Sequence, residues 1–115
     1  MIKSKHDLLE ELETTIDRIA ELERDKTNLT IMVDKCYPAL EEAMEDRIEY
    51  KKQSKFVKFL KKKQKKVLDY EIEFYTERIF NLNDMIKNID KEKTRTTEYL
   101  HELVDTYRDV LEGII

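Results

Sequence analysis

Residues 8–36 read LLEELETTIDRIAELERDKTNLTIMVDKC. Within them Leu8, Leu12, Thr15, Ile19, Leu22, Lys26, Leu29, Val33 and Cys36 recur at alternating steps of four and three. That is the seam of a coiled coil, because residues so spaced share one face of an α-helix. Thr15 and Lys26 are its polar members. Leu9 and Ile16 widen the stripe to the breadth of a bundle helix. Glu10, Glu13, Asp17, Glu21 and Asp25 make the other face acidic. Ser4, with Asp7 three residues on, suits a capped start. The spacing predicts a helix over 4–36, about 50 Å long at ~1.5 Å per residue.

Downstream, Cys36-Tyr37-Pro38 is the clearest punctuation. Proline lacks an N–H and restricts the residue before it, yet suits the first turn of a new helix. A hairpin is expected there, with a kink as the alternative. Glu41 and Glu42 then lie near a helix N-terminus, where its dipole favours them. The second helix, over 38–90, runs through Leu40, Ala43, Met44 and Ile48 into a lysine-rich stretch. It resumes the seam at Leu68, Ile72, Tyr75, Ile79, Leu82, Ile86 and Ile89.

Asp90 to Glu98 is the longest run without an apolar residue. Asp90, Thr94, Thr96 and Thr97 are candidate caps, so a second turn is expected here. The seam nevertheless stays in phase through Lys93, Thr96, Leu100, Leu103, Tyr107, Val110 and Ile114, as one uninterrupted helix would require. Length favours the turn: helices of about 33 and 19 residues laid end to end cover a central one of about 52. A third helix over 96–113 would stop at Gly113. The expected fold is all-α: one helical domain over 1–115, an elongated antiparallel bundle or coiled coil of three helices. The alternative is a two-helix hairpin with a very long second helix.

Composition agrees. Charged residues make up 42% of the chain and hydrophobic ones 40%, with one Gly and one Pro, which suits long helices better than a compact globule. Cys36 is the one cysteine, so no intrachain disulfide can form. The N-terminal residues lack the apolar core of a signal peptide, and no run reaches the ~18 apolar residues of a membrane span. A cytoplasmic, reducing environment is the expectation. Asn28-Leu29-Thr30 matches a glycosylation acceptor, which without a secretion route reads as chance. Frequent Lys, Ile, Asn and Tyr hint at an AT-rich genome, such as that of a low-GC bacterium or its phage.

The charge is unevenly placed. Lys51 to Lys66 holds nine lysines and no acid, a formal +9, between flanks of −7 and −6. Projected as one helix, Lys51, Lys55, Lys58, Lys61, Lys62, Lys65 and Lys66 occupy one half of the circumference. Phe56, Val57, Phe59, Leu60, Gln64, Val67 and Leu68 occupy the other. Four readings are open. The lysines can be matched by the chain's own acidic helices, directly or in an oligomer. They can meet an acidic protein, or nucleic acid, although no Arg in the stretch supplies bidentate base contacts. They can meet a membrane surface, although Phe56, Phe59 and Leu60 fit a core better. Tyr70, Phe74, Tyr75 and Phe80 are also expected in the core; an exposed Phe80 would instead be a partner-binding anchor.

Catalytic signals are weak. His101-Glu102-Leu103-Val104-Asp105 has Asp where a zinc-protease helix needs its second His. Glu98-Tyr99-Leu100-His101 matches one half of a di-iron motif, but His6 has Lys3 where the second copy needs Glu. Ser4 and Ser54 lack local partner sets, Cys36 sits in the seam, and no glycine-rich loop exists to hold a phosphate. The expectation is a non-enzymatic module without metal or cofactor. It would bind another protein as an adaptor, assembly factor or inhibitor, and would self-associate. The alternative is nucleic-acid binding through residues 51–66.

Overall fold

A computed structural model describes residues 4–113. Those residues are all-α, with no strand among them. They form α1 (Lys5–Lys52), α2 (Lys55–Leu60) and α3 (Lys62–Leu111), and α1 packs against α3. Ser4 caps α1 as expected, its hydroxyl accepting the Asp7 N–H at 3.1 Å. Ile114, placed in the seam by its spacing, lies outside the described residues.

Three helices are present, but with different bounds. No hairpin forms at Cys36-Tyr37-Pro38, because α1 continues through Pro38. The seam explains this. Beyond Cys36 it runs in phase through Leu40, Ala43, Arg47 and Tyr50, all buried or half-buried. Pro38 falls on the exposed side, where the carbonyl it leaves without a helical donor can be hydrated.

The turn expected over 90–98 is also absent, since α3 is continuous there. Its threonines do not cap. Thr94, Thr96 and Thr97 donate their hydroxyls to the carbonyls of Asp90, Glu92 and Lys93, four residues back. That back-bonding satisfies each hydroxyl within the continuing helix.

The chain reverses inside the lysine stretch instead, which is therefore not one helix. Carried on in phase from Tyr50, the seam would need Ser54, Val57, Lys61 and Gln64 before Leu68. Three of those four are polar, so a continuing helix would have almost nothing to bury. Ser54 is extended (φ −62°, ψ 157°) and its hydroxyl accepts the Val57 N–H, capping α2. Lys61 (φ −102°, ψ 24°) leaves the helical region and ends it. At the far end Gly113 takes φ +75°, the left-handed conformation that makes glycine a helix stop.

Two compact units result. In the first, residues 5–28 of α1 pack antiparallel to residues 86–111 of α3. Leu8, Thr15, Leu22 and Leu103 are buried there. Thr15 satisfies its hydroxyl on the Glu11 carbonyl at 2.7 Å. Polar pairs flank the seam: Glu11 with Tyr99, Arg18 with Glu92 at 2.5 Å, Glu23 with Lys93, and Lys26 with Asp90 at 2.8 Å. The hydrogen bond to Glu92 raises the Arg18 guanidinium further above its ordinary value, against a lowering by desolvation.

The second unit, residues 29–85, buries Val33, Cys36, Ala43, Tyr50, Leu68, Ile79 and Leu82. Arg47 donates to Asp69 at 2.7 Å and lies over the Tyr50 ring. Cys36 is the buried thiol that its seam position implied.

Two substitutions test the seam. Leu22 is 1% exposed, and Leu22→Ala should lower unfolding free energy by about 2–5 kcal/mol. Pro38→Ala should raise it by about 2 kcal/mol, restoring a hydrogen bond at a small unfolded-state entropy cost. Urea titration measures both. A loss of helix content in Pro38→Ala would mean that proline is required where it stands.

Candidate functional site

The second unit carries the features that face outward. The lysine stretch is wrapped around the reversal. Lys51 and Lys52 end α1, Lys55 and Lys58 belong to α2, and Lys61 is the junction. Lys62, Lys63, Lys65 and Lys66 open α3. All nine are exposed except Lys58, which is half-buried. Among the described residues, one ion pair involves any of them: Lys52 with Glu49, at 3.7 Å on the same helix. Among the described residues no lysine of the stretch pairs with an acid of another helix, so direct matching within the chain, one form of the first of the four readings, is not found.

The apolar half of the projected helix fares differently too. Of its members Leu68 alone is buried, and Val57 is half-buried. Phe56, Phe59 and Leu60 are 71%, 76% and 66% exposed. They are not core. Tyr70, Phe74 and Phe80 are exposed as well, and Tyr75 is half-buried. Tyr70 stacks on Phe74 at 6.2 Å, and Phe74 meets the Tyr75 edge at 5.3 Å.

Local contacts fix α2. Tyr50 is buried and donates its hydroxyl to the Lys58 carbonyl at 3.0 Å. The Lys61 N–H bonds the Val57 carbonyl at 3.0 Å. The side of α2 that holds Val57 and the Lys58 backbone is thus tied down, and the side that holds the phenylalanines faces out. Phe80, grouped with the lysines as a partner-binding residue, is 73% exposed. It lies fourteen residues past Lys66, roughly 21 Å along α3. The structure gathers the lysines but does not join Phe80 to them.

A second exposed face was missed by sequence reasoning. Tyr37, Leu40, Met44 and Ile48 line a shallow groove on α1 with Glu41 and Glu45. Tyr37, Met44 and Ile48 are exposed, and Leu40 is half-buried at its floor. The spacing was visible, but a break at Pro38 divided it. Lys52 and Lys63 were left off the basic face for a similar reason, since a single helical projection ignores the resets at Ser54 and Lys61.

Of the residues with weak catalytic signals, Cys36 and Ser54 belong to the second unit and His101 and Glu98 to the first. His101 and Glu98 line a surface hollow of the first unit with Lys26, Asp90, Lys93, Thr94 and Thr97. Lys26 and Lys93 are ion-paired there. Among the described residues no three His, Cys, Asp or Glu side chains are grouped to hold a metal, and no helix is long and apolar enough to cross a membrane. No known protein family, curated protein or solved structure matches the chain.

The role of Tyr50 can be tested directly. Tyr50→Phe removes one hydrogen bond, worth about 1 kcal/mol, and should loosen α2 without unfolding the helices. Trypsin cleavage after Lys55 and Lys58 should accelerate while far-UV circular dichroism stays unchanged. Unchanged cleavage would mean that the Val57 side alone holds the turn.

Proposed function

We propose that this chain is a non-catalytic protein-binding module that works by helix-face packing through its second unit. The observation that carries this reading is the groove on α1. Tyr37, Met44 and Ile48 stand at i, i+7 and i+11, exposed on a helix whose opposite face is already buried against α3. An amphipathic helix laid into a groove uses anchors at such spacings. Burying one of these side chains is worth about 1.5–3 kcal/mol, while a rim charge pair gives about 0–1. The apolar residues would therefore supply affinity, and the charges would set direction.

The charges are ordered for that purpose. Glu41 and Glu45 border the groove, and Lys51 and Lys52 follow at the end of the same helix. A partner helix with basic residues at one end and acidic residues at the other matches the sequence of signs. Asp34 precedes the groove, so a second copy laid antiparallel would set its Asp34 against Lys51 and Lys52. Self-association is thus one form of this function. A distinct partner, with this chain as adaptor, assembly factor or inhibitor, is the other. Phe80 is a separate exposed anchor on α3. Nucleic-acid binding is the competing reading of the lysines. It would weaken with salt at a log–log slope near −0.9 per phosphate contacted.

Met44→Glu with Ile48→Glu is the decisive variant. Both positions are exposed, so stability should shift by no more than about 0.5 kcal/mol each. Association, read as solution mass and as affinity for a protein captured by wild type, should fall at least tenfold. A wild-type chain that stays monomeric and captures nothing sinks the reading. Retarded oligonucleotide at low salt, unaffected by the double substitution, would favour the competitor.

A further inference from the structure

We propose that the turn formed by α2 and its flanking lysines is a docking element for an anionic phospholipid surface. This goes beyond helix-face packing and uses different residues. The argument begins with α2 as a wheel. At ~100° per residue, Phe56, Phe59 and Leu60 fall within about 100° of arc. Val57 and Lys58 fall on the other side, and that side is the one tied to α1: Val57 is half-buried, and the Lys58 carbonyl holds the Tyr50 hydroxyl. The short helix is amphipathic with its apolar side turned outward. Three large apolar side chains, each about two-thirds or more exposed, therefore stand together. Exposed Lys55, Lys61, Lys62 and Lys63 surround them.

A partner has to satisfy both features. Residues 51–66 carry +9 with no acid, and among the described residues their one ion pair is Lys52–Glu49. The first turn of α3 also lacks an acid, although that end of a helix attracts negative charge. The partner must be strongly anionic. It must also offer an apolar layer beside that charge, for Phe56, Phe59 and Leu60. Nucleic acid meets the first need, and bases can stack on the phenylalanines, but Leu60 beside them gains no stack. An acidic protein meets the first need too, but its charged surface offers no continuous apolar layer beside the charge for Phe56, Phe59 and Leu60. A bilayer meets both. Interfacial segments bury Phe and Leu about 5–10 Å below headgroups that their lysines contact. Anionic leaflets attract polybasic segments within a Debye length of the surface.

The chain has no tryptophan, so Phe59→Trp places a single reporter at the tip. The probes are phosphatidylcholine vesicles with and without phosphatidylserine, and a single-stranded oligonucleotide of matched charge. Expected are co-sedimentation with the serine-containing vesicles alone, and a blue shift of the reporter's emission on binding. Each Lys→Gln change among Lys61, Lys62 and Lys63 should weaken binding about fivefold. Phe56→Ser with Phe59→Ser should weaken it more than tenfold, with helix content unchanged because both side chains are exposed. Met44→Glu with Ile48→Glu should bind vesicles as wild type does, which separates this test from that of the groove. No association at low salt overturns the proposal. So does binding indifferent to the phenylalanines, which is polycation adsorption. A reporter shift with the oligonucleotide but not with vesicles assigns the turn to nucleic acid.

Discussion

Everything in this structure depends on the phase of one apolar seam. On α1 it runs from Leu8 to Tyr50, and on α3 from Leu68 to Val110, always at steps of four and three. Every member is buried or half-buried. Keeping the phase outweighs local preference wherever the two conflict. A proline inside a helix costs about 3 kcal/mol. Ending α1 at Pro38 would abandon Leu40, Ala43 and Tyr50, and burying a large apolar side chain contributes about 1.5–3 kcal/mol. The seam wins, and the proline is carried on the wet side. The same comparison settles residues 90–98. Lys93 and Thr96 are poor seam members, but Ile89 and Leu100 on either side hold the register across them.

That comparison also explains what was legible in the sequence. The all-α class, both seams, the Ser4 cap, the buried Cys36 and the Gly113 stop are consequences of spacing and backbone chemistry, and spacing is visible in one dimension. The position of the reversal was just as visible, through a different signal. Proline and threonine punctuation pointed to 36–38 and 90–98. The deciding fact was that Ser54, Lys61 and Gln64 occupy in-phase seam positions, so the stripe fails chemically while its register persists. A break in apolar content governs where paired helices reverse, and a residue with a reputation for breaking helices does not.

The outward-facing surfaces were only partly readable, because they depend on where the helices are cut. The lysine block and its isolation from acids are plain in the chain. The exposure of Phe56, Phe59 and Leu60 is not, since a single wheel through 51–68 puts them in the same half of the circumference as Leu68, the half expected in the core. Cutting that wheel at Ser54 and again at Lys61 rotates α2 independently of α3. The Tyr50 hydroxyl then selects which side of α2 faces inward. Two dihedral resets and one hydrogen bond thus convert an expected core stripe into an exposed one. The groove on α1 shows the converse case: removing an imagined cut at Pro38 joins Tyr37 to Met44 and Ile48.

The arrangement of charge separates two roles within one chain. Along the seam, Arg18–Glu92, Lys26–Asp90, Glu23–Lys93 and Arg47–Asp69 pair opposite signs across the two helices. Within the first unit Glu11 meets Tyr99 and Lys26 meets Asp90, so the contacts agree with antiparallel packing. Exposed pairs of this kind contribute about 0–1 kcal/mol each, enough to disfavour a wrong direction and too little to hold the fold. The lysines of the turn do the opposite. Lys62, Lys63, Lys65 and Lys66 crowd the positive end of the α3 dipole, where each cation is disfavoured by a few tenths of a kcal/mol or more. Lys58 with Lys62, Lys61 with Lys65 and Lys62 with Lys66 add like-charge repulsion wherever α2 and α3 bring them close. Among the described residues the one ion pair that any of these lysines makes is Lys52 with Glu49. A turn tuned only for stability would carry acids at these helix starts, and it is on this departure that the proposed anionic surface rests.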